Sequence, residues 1–338
     1  MAYVSILKRT TLKKFAVGAL LSAMSICSVF NSATAEETKR RYAMDVIVSG
    51  VPFWRETKQT WEQIDKAHPE VSLIFGGPKD TSVETQIASL EALINQGIDG
   101  LVIAPGDSAS LNSVVNKAID AGIPVVTYLV DLPTSKRLAY VSSELTQASE
   151  SVAKQVFGAT PKAGEAIILY AQAGNEEQEL RRQGFVNAIA KQADVTLVDT
   201  LEDYYDENRG AAALKALLLK HKNVRYVFGA NSRSAVAAVT ALKELGKKPG
   251  EVIVTGWDRD ADVLQLVKSG WVATTVSQRS RHMTRMVFDI LEAYNHNYLY
   301  NGDSKKHANN HDLPEKILVP VSLITQENVS SFMPPPKE

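Results

Sequence analysis

Short runs of apolar and β-branched residues recur along the chain, each followed by a segment with helical spacing. Met44-Asp-Val-Ile-Val-Ser precedes a helical stretch around Trp54 to His68. Val71-Ser-Leu-Ile-Phe precedes Ser82 to Gln96, where Val83, Ile87, Leu90 and Ile94 fall on one helix face. Gly100-Leu-Val-Ile-Ala precedes Ser110 to Ala121, and Ile123-Pro-Val-Val-Thr-Tyr follows. A second series opens at Ala166-Ile-Ile-Leu-Tyr and a helix from about Glu177 to Ala193. It continues through Val195-Thr-Leu-Val-Asp, Arg225-Tyr-Val-Phe-Gly and Glu251-Val-Ile-Val-Thr. This alternation predicts parallel sheets covered by helices on both faces. Two series of about five strands each predict two similar doubly wound α/β lobes. Ala139-Tyr-Val-Ser-Ser-Glu144 lies between them as a natural crossover. Asn295 to Leu313 reads as a surface loop before a last strand, Lys316-Ile-Leu-Val-Pro, and the end from Met333 reads as frayed.

The strand ends point to a site. Tyr226-Val-Phe-Gly-Ala runs into Asn231, Val252-Ile-Val-Thr-Gly into Trp257 and Asp258, and Val272-Ala-Thr-Thr-Val-Ser into Gln278. Open parallel sheets bind ligands just beyond the carboxyl ends of their strands, so three consecutive strands deliver hydrogen-bonding and stacking groups to one crevice. Aromatics follow the same rule. Phe53 and Trp54 follow the first strand, Tyr204 and Tyr205 follow the run from Val195 to Thr200, and Trp257 ends another. Flat apolar faces beside Asp, Asn, Gln and Arg suit sugar rings, whose C–H faces stack while their hydroxyls need hydrogen-bond partners.

The N-terminus changes the compartment. Lys8, Arg9, Lys13 and Lys14 form a basic region, Phe15 to Phe30 is mostly apolar, and Ala33-Thr34-Ala35 fits an export-signal cleavage site, giving a mature start near Glu36. The alternatives are a retained membrane helix, for which the apolar stretch is short, and lipid attachment at Cys27, for which Ile26 is bulky. Cys27 is the one cysteine in 338 residues, so the cleaved chain has no disulfide, thiol nucleophile or Cys-based metal site. Cleavage takes the formal charge from −1 to −5, a poor match for nucleic acid. The remaining 303 residues, in a chain 45% hydrophobic, are enough for two domains with proper cores.

Motifs for chemistry are missing. There is no G-x-x-x-x-G-K-[ST], G-x-G-x-x-G or G-x-S-x-G. His307 and His311, four apart in an Asn-rich loop, read as plain surface rather than metal ligands. Asp203, Asp206 and Glu207 read as solvated loop charge rather than a glycosidase acid cluster, since no partner carboxylate stands at a defined separation. Nothing points to a metal or organic cofactor.

From Met44 to about Thr325 the chain resembles the ribose-binding type of periplasmic binding protein (type I), the pentose/hexose group of ABC-importer receptors. The likeness rests on Ser49 through Phe53-Trp54, Gln96-Gly-Ile-Asp-Gly100, Ala104-Pro-Gly-Asp107, Gly122-Ile-Pro-Val-Val-Thr127, Arg181-Arg-Gln-Gly-Phe185, Asn231, Gly256-Trp-Asp258 and Gln278, in order across almost the whole mature chain. The resemblance implies two lobes joined by a three-strand hinge that close over a ligand. It implies a first lobe over 36–143 and 279–312 and a second over 144–278 and 313–338. By motif, Phe53 and Trp54 stack on the ligand with Ser49 nearby, Arg181 reaches in from the second lobe, and Tyr205 flanks. Asn231, Asp258 and Gln278 supply polar contacts, and Trp257 forms an aromatic wall. Arg181 has a plainer reading as a partner of Glu177 on its own helix.

One departure matters. Where relatives carry Asp followed by Arg or Ser after Ile-Pro-Val-Val-Thr, this chain has Tyr128, Leu129 and Val130, with an acid only at Asp131, which is expected to contact the ligand by a shifted route. Position 51 is likewise apolar, Val51 standing where the ribose receptor has an amide. The expectation is a non-catalytic, monomeric periplasmic receptor for a small polar ligand, a sugar or polyol, that delivers it to an inner-membrane ABC permease. The alternatives are a sensory receptor serving a histidine kinase or chemoreceptor, and an exported carbohydrate-active enzyme.

Overall fold

A computed structural model describes residues 39–50, 52–79, 82–159, 163–299 and 313–333. The export-signal region and the pair His307 and His311 lie outside the described residues. Among the described residues no helix is long and apolar enough to cross a membrane.

The apolar runs form strands because both their faces are covered, which is why they read as continuous rather than alternating. In the first lobe β1 (Arg40–Val46), β2 (Val71–Gly76), β3 (Gly100–Ala104), β4 (Val125–Tyr128) and β5 (Ala139–Ser142) alternate with α1 (Arg55–Ala67), α2 (Val83–Asn95) and α3 (Asn112–Asp120). In the second lobe α4 (Leu145–Ala159) leads into β6 (Gly164–Tyr170), α5 (Glu176–Ile189) and β7 (Val195–Glu202). There follow α6 (Glu207–Lys220), β8 (Val224–Gly229), α7 (Ser232–Glu244), β9 (Ile253–Trp257), α8 (Ala261–Lys268) and β10 (Val272–Ser277). The chain then returns through α9 (Ser280–Asn295), β11 (Lys316–Leu318) and β12 (Ser322–Thr325).

Each lobe carries a six-stranded sheet, ordered β11-β5-β4-β3-β1-β2 in the first and β12-β10-β9-β8-β6-β7 in the second. All pairings are parallel except β12 against β10. The strand order reverses between β1 and β3 in one sheet and between β6 and β8 in the other, and such switch points are where open α/β sheets take ligands. The chain passes between lobes after β5, after β10 and after β11. The third passage therefore falls later than the expected boundary before Leu313. β11 pairs with β5 in the first sheet, Lys316 opposite Tyr140, and only β12 joins the second. The three residues of β11 are too few to reveal their sheet by pattern.

Packing explains the motif Arg181-Arg-Gln-Gly-Phe. A Cβ on Gly184 would stand 2.2 Å from the Thr146 carbonyl, so glycine lets α5 lie directly on α4. Phe185 enters the core beside Phe228, ring centroids 5.0 Å apart. Of the end expected to fray from Met333, residues 334–338 lie outside the described residues, and the chain just before them is packed. Val329 is 1% exposed, and Phe332 and Met333 pack against the second-lobe core.

Candidate ligand site between the lobes

The two sheets point their carboxyl ends at one cleft. A cavity of about 430 Å³ lies there, walled by Phe53 and Glu56 of the first lobe, Asp258 and Arg259 of the second, and the hinge residues Ser277 and Gln278. That volume is in the range of small-molecule sites.

Gln278 sits at the second passage between lobes. It is 4% exposed, yet neither its amide oxygen nor its nitrogen has a hydrogen-bond partner. Buried amides are almost always paired, and leaving one unpaired costs about 1–3 kcal/mol. Asp258 follows β9 with φ +71, a conformation Asp tolerates better than most residues. Its backbone is fixed on both sides: its N–H donates to the Val276 carbonyl at 2.7 Å, and its own carbonyl accepts from the Thr275 hydroxyl at 2.8 Å. Burial pushes its carboxyl up to about 6, against the pull of the Arg181 guanidinium and with the push of Glu177. A half-protonatable acid and an unpaired amide thus face one cavity.

Arg181 is 2% exposed and held from three sides. It pairs with Glu177, donates to the Ala230 carbonyl at 2.9 Å and lies 4.0 Å from the Trp257 ring centroid. The plainer reading of Arg181, as a partner of Glu177, therefore holds, and its Nε stays unpartnered. Trp257 is fully buried, a platform under Arg181 rather than an open wall. Asn231 caps α7, its side chain accepting from the Ser234 N–H at 2.9 Å and donating to Gln178 at 3.2 Å. Ser49 donates to the carbonyls of Gly77 and Pro78. Trp54 is in the first-lobe core beside Tyr128, and Phe53 crosses it edge-on at 4.8 Å and lines the cavity.

Asp131 differs from its expected place as a ligand contact. Its carboxylate accepts from Arg137 Nε at 2.5 Å and Nη2 at 2.8 Å, the Leu132 N–H at 2.8 Å and the Thr127 hydroxyl at 3.2 Å, so its roughly four acceptor sites are already filled. Leu129, where the resemblance leads to an expected Asp, has φ +66 and is flanked by an i to i+2 hydrogen bond from the Val130 N–H to the Tyr128 carbonyl, 2.8 Å. That is a γ-turn of the rarer, strained kind, and it buries the Leu129 side chain in the first-lobe core.

Asp203 also departs from its reading as solvated charge. It is fully buried, takes the Ser234 hydroxyl and the Tyr205 N–H, and burial raises its pKa. It shapes the turn Asp203–Asp206, closed by the Asp206 N–H on the Asp203 carbonyl at 2.8 Å, with φ +54 at Tyr204 and +59 at Tyr205. The turn leaves Tyr205 48% exposed, its hydroxyl 3.4 Å from the Asn175 amide. Two residues went unread in the sequence although they adjoin the motifs: Glu56, two after Trp54, and Arg259, next after Asp258. Their signal was adjacency to motif residues at strand ends.

A family model described as a periplasmic binding protein domain matches residues 42–296. Among characterised relatives, the ribose import binding protein of Bacillus subtilis (strain 168) is 27% identical over 71% of this chain and 77% of its own. The D-allose-binding periplasmic protein of Escherichia coli (strain K12) is 27% identical over 78% and 85%. Among solved structures, a sugar-binding protein of a sugar ABC transporter from Bacillus halodurans superposes with TM-score 0.79 at 21% identity, covering 87% of this chain and all of that one. A solute binding protein from Burkholderia graminis C4D1M, in complex with D-arabinose, gives 0.76 at 26% identity, covering 86% and 97%.

Proposed function

Because this chain belongs to the periplasmic binding protein family, a binding protein and not an enzyme, we propose that it captures a sugar or polyol between its lobes for an ABC importer. The relatives that are named for ribose and allose support the ligand class. The observation that carries the reading is the Gln278 amide, buried and unpartnered at the cavity. Asp258 and Gln278 form the polar wall, accepting and donating to ligand hydroxyls, and Phe53 and Tyr205 flank the ring. Arg181, Trp257, Asn231, Ser49 and Trp54 hold those groups in place. Ligand contacts made to both lobes at once favour closure, and only that difference between states shifts the equilibrium. Export with cleavage after Ala35 belongs to the same reading.

The test is a thermal-shift panel of pentoses, hexoses, deoxy sugars, polyols and non-sugar solutes, run on refolded 36–338 protein. A ligand at 100 times its Kd adds about 2.7 kcal/mol. Stabilisation by a sugar or polyol supports the proposal. Stabilisation by non-sugars alone moves it to a sensory receptor. That second reading is favoured by the filled Asp131 and the buried Leu129, which leave no free carboxylate at the end of β4.

A further inference from the structure

Glu56 stands in the first turn of α1, where a carboxylate is favoured by the helix dipole. Arg281 of α9, in the same lobe, holds it from one side, Nε to Oε1 at 2.9 Å. The same Oε1 also takes the guanidinium of Arg259, in the second lobe. Among the described residues, Glu56–Arg259 is the one ion pair that joins the two lobes. Its members are 18% and 36% exposed, and both line the cavity. On another flank of the cleft, burial raises the pKa of the Glu176 carboxyl at the start of α5, and the nearby Ser108 hydroxyl, from the loop between β3 and α3, partly offsets that rise.

We propose that Glu56 and Arg259 form a latch that biases the cleft toward closure before ligand binds. The pair exists only when the lobes are together, so its free energy belongs wholly to the closed state and biases the equilibrium by that amount. Arg281 and the helix terminus keep Glu56 oriented toward the gap, which lowers the cost of ordering it. The turn at Asp258 presents Arg259 on the facing side, so the residue that reads the ligand and the residue that latches the lobes are adjacent. For a partly exposed pair the expected bias is about two- to five-fold in the ratio of open to closed molecules. Ligand entry then waits on opening of the latch, which slows association. The inference concerns the unliganded protein and does not rest on the sugar reading.

The experiment is pulsed electron–electron distance measurement on ligand-free protein, in a Cys27→Ser background, with labels at Lys66→Cys and Lys154→Cys, exposed positions on α1 and α4. Glu56→Gln and Arg259→Gln are each expected to raise the open population two- to five-fold, and the double variant no further than either single one. Salt at 1 M, where the Debye length is about 3 Å, is expected to open the unsubstituted pair and leave Arg259→Gln unmoved. An open population unchanged by either substitution overturns the latch. So do single effects that add in the double variant, or equal salt responses with and without Arg259.

Discussion

Gln278 and Asp258 pull stability and binding in opposite directions. An amide with neither atom paired costs the empty protein free energy that a ligand recovers. Gln278→Leu, close in volume, is expected to leave the melting temperature of the empty protein unchanged or raise its stability by roughly 1 kcal/mol. The same change weakens ligand binding at least about tenfold, or 1.4 kcal/mol. Calorimetric titration beside thermal melts checks this, and a loss of stability without a loss of affinity would refute it. Asp258 behaves alike through its charge. Its pKa rises from the ordinary 3.8 to about 6 on folding. The folded state thus holds an extra proton between those values, and the stability from this group declines as pH rises through that window. Asp258→Asn is therefore expected to stabilise the empty protein more at pH 7.5 than at pH 4.5. Equal gains at both pH values would mean the carboxyl is not raised. Both residues were legible in the sequence as the ends of β9 and β10. The unpaired amide of Gln278 was not, because it depends on what the other lobe leaves uncovered.

At the scale of the element, strands and turns differed in how far the sequence revealed them. The runs that became β1, β3, β4, β6, β8, β9 and β10 were readable because parallel strands buried on both faces leave an uninterrupted apolar signature. The turns carried no such mark. Tyr204 and Tyr205 occupy successive left-handed positions that Asn-Gly would ordinarily fill. Nothing local dictates this, and it is imposed by the buried carboxylate of Asp203 beneath them. A left-handed non-glycine residue costs about 1–2 kcal/mol, so the turn stores strain next to the cleft. Tyr204→Asn, better tolerated at that φ, is expected to raise stability by roughly 0.5 kcal/mol. Tyr204→Val, stiff at Cβ, is expected to lower it by more than about 1 kcal/mol. Denaturant melts separate the two, and the same sign for both would show that the turn is unstrained. Leu129 makes a similar point. Its replacement of a family carboxylate was visible in sequence, whereas the γ-turn that turns its side chain into the core was not.

For the molecule as a whole, the two-lobe plan was legible because the alternating pattern restarts at Ala166 after the crossover. The third passage was not, since β11 and β12 are short and lie three residues apart. The consequence is thermodynamic. Each lobe has its own sheet and cores, clustered separately on the first and second sheets. Between the described parts of the lobes, the Glu56–Arg259 pair and the approach of Ser108 to Glu176 are modest links beside those cores. Domains coupled this weakly depart from two-state unfolding. In scanning calorimetry the ligand-free protein is therefore expected to show a van't Hoff enthalpy below the calorimetric one, resolving into two transitions. A ligand held by Asp258, Gln278 and Phe53 at once ties the stability of one lobe to that of the other, so saturation draws the transitions together and lifts both. Equal enthalpies in the empty protein would mean that the lobes already unfold as one unit, and the hinge would then join them far more tightly than these contacts provide. Two transitions that stay apart at saturation, with only one rising, would place the ligand on a single lobe and remove closure from the mechanism.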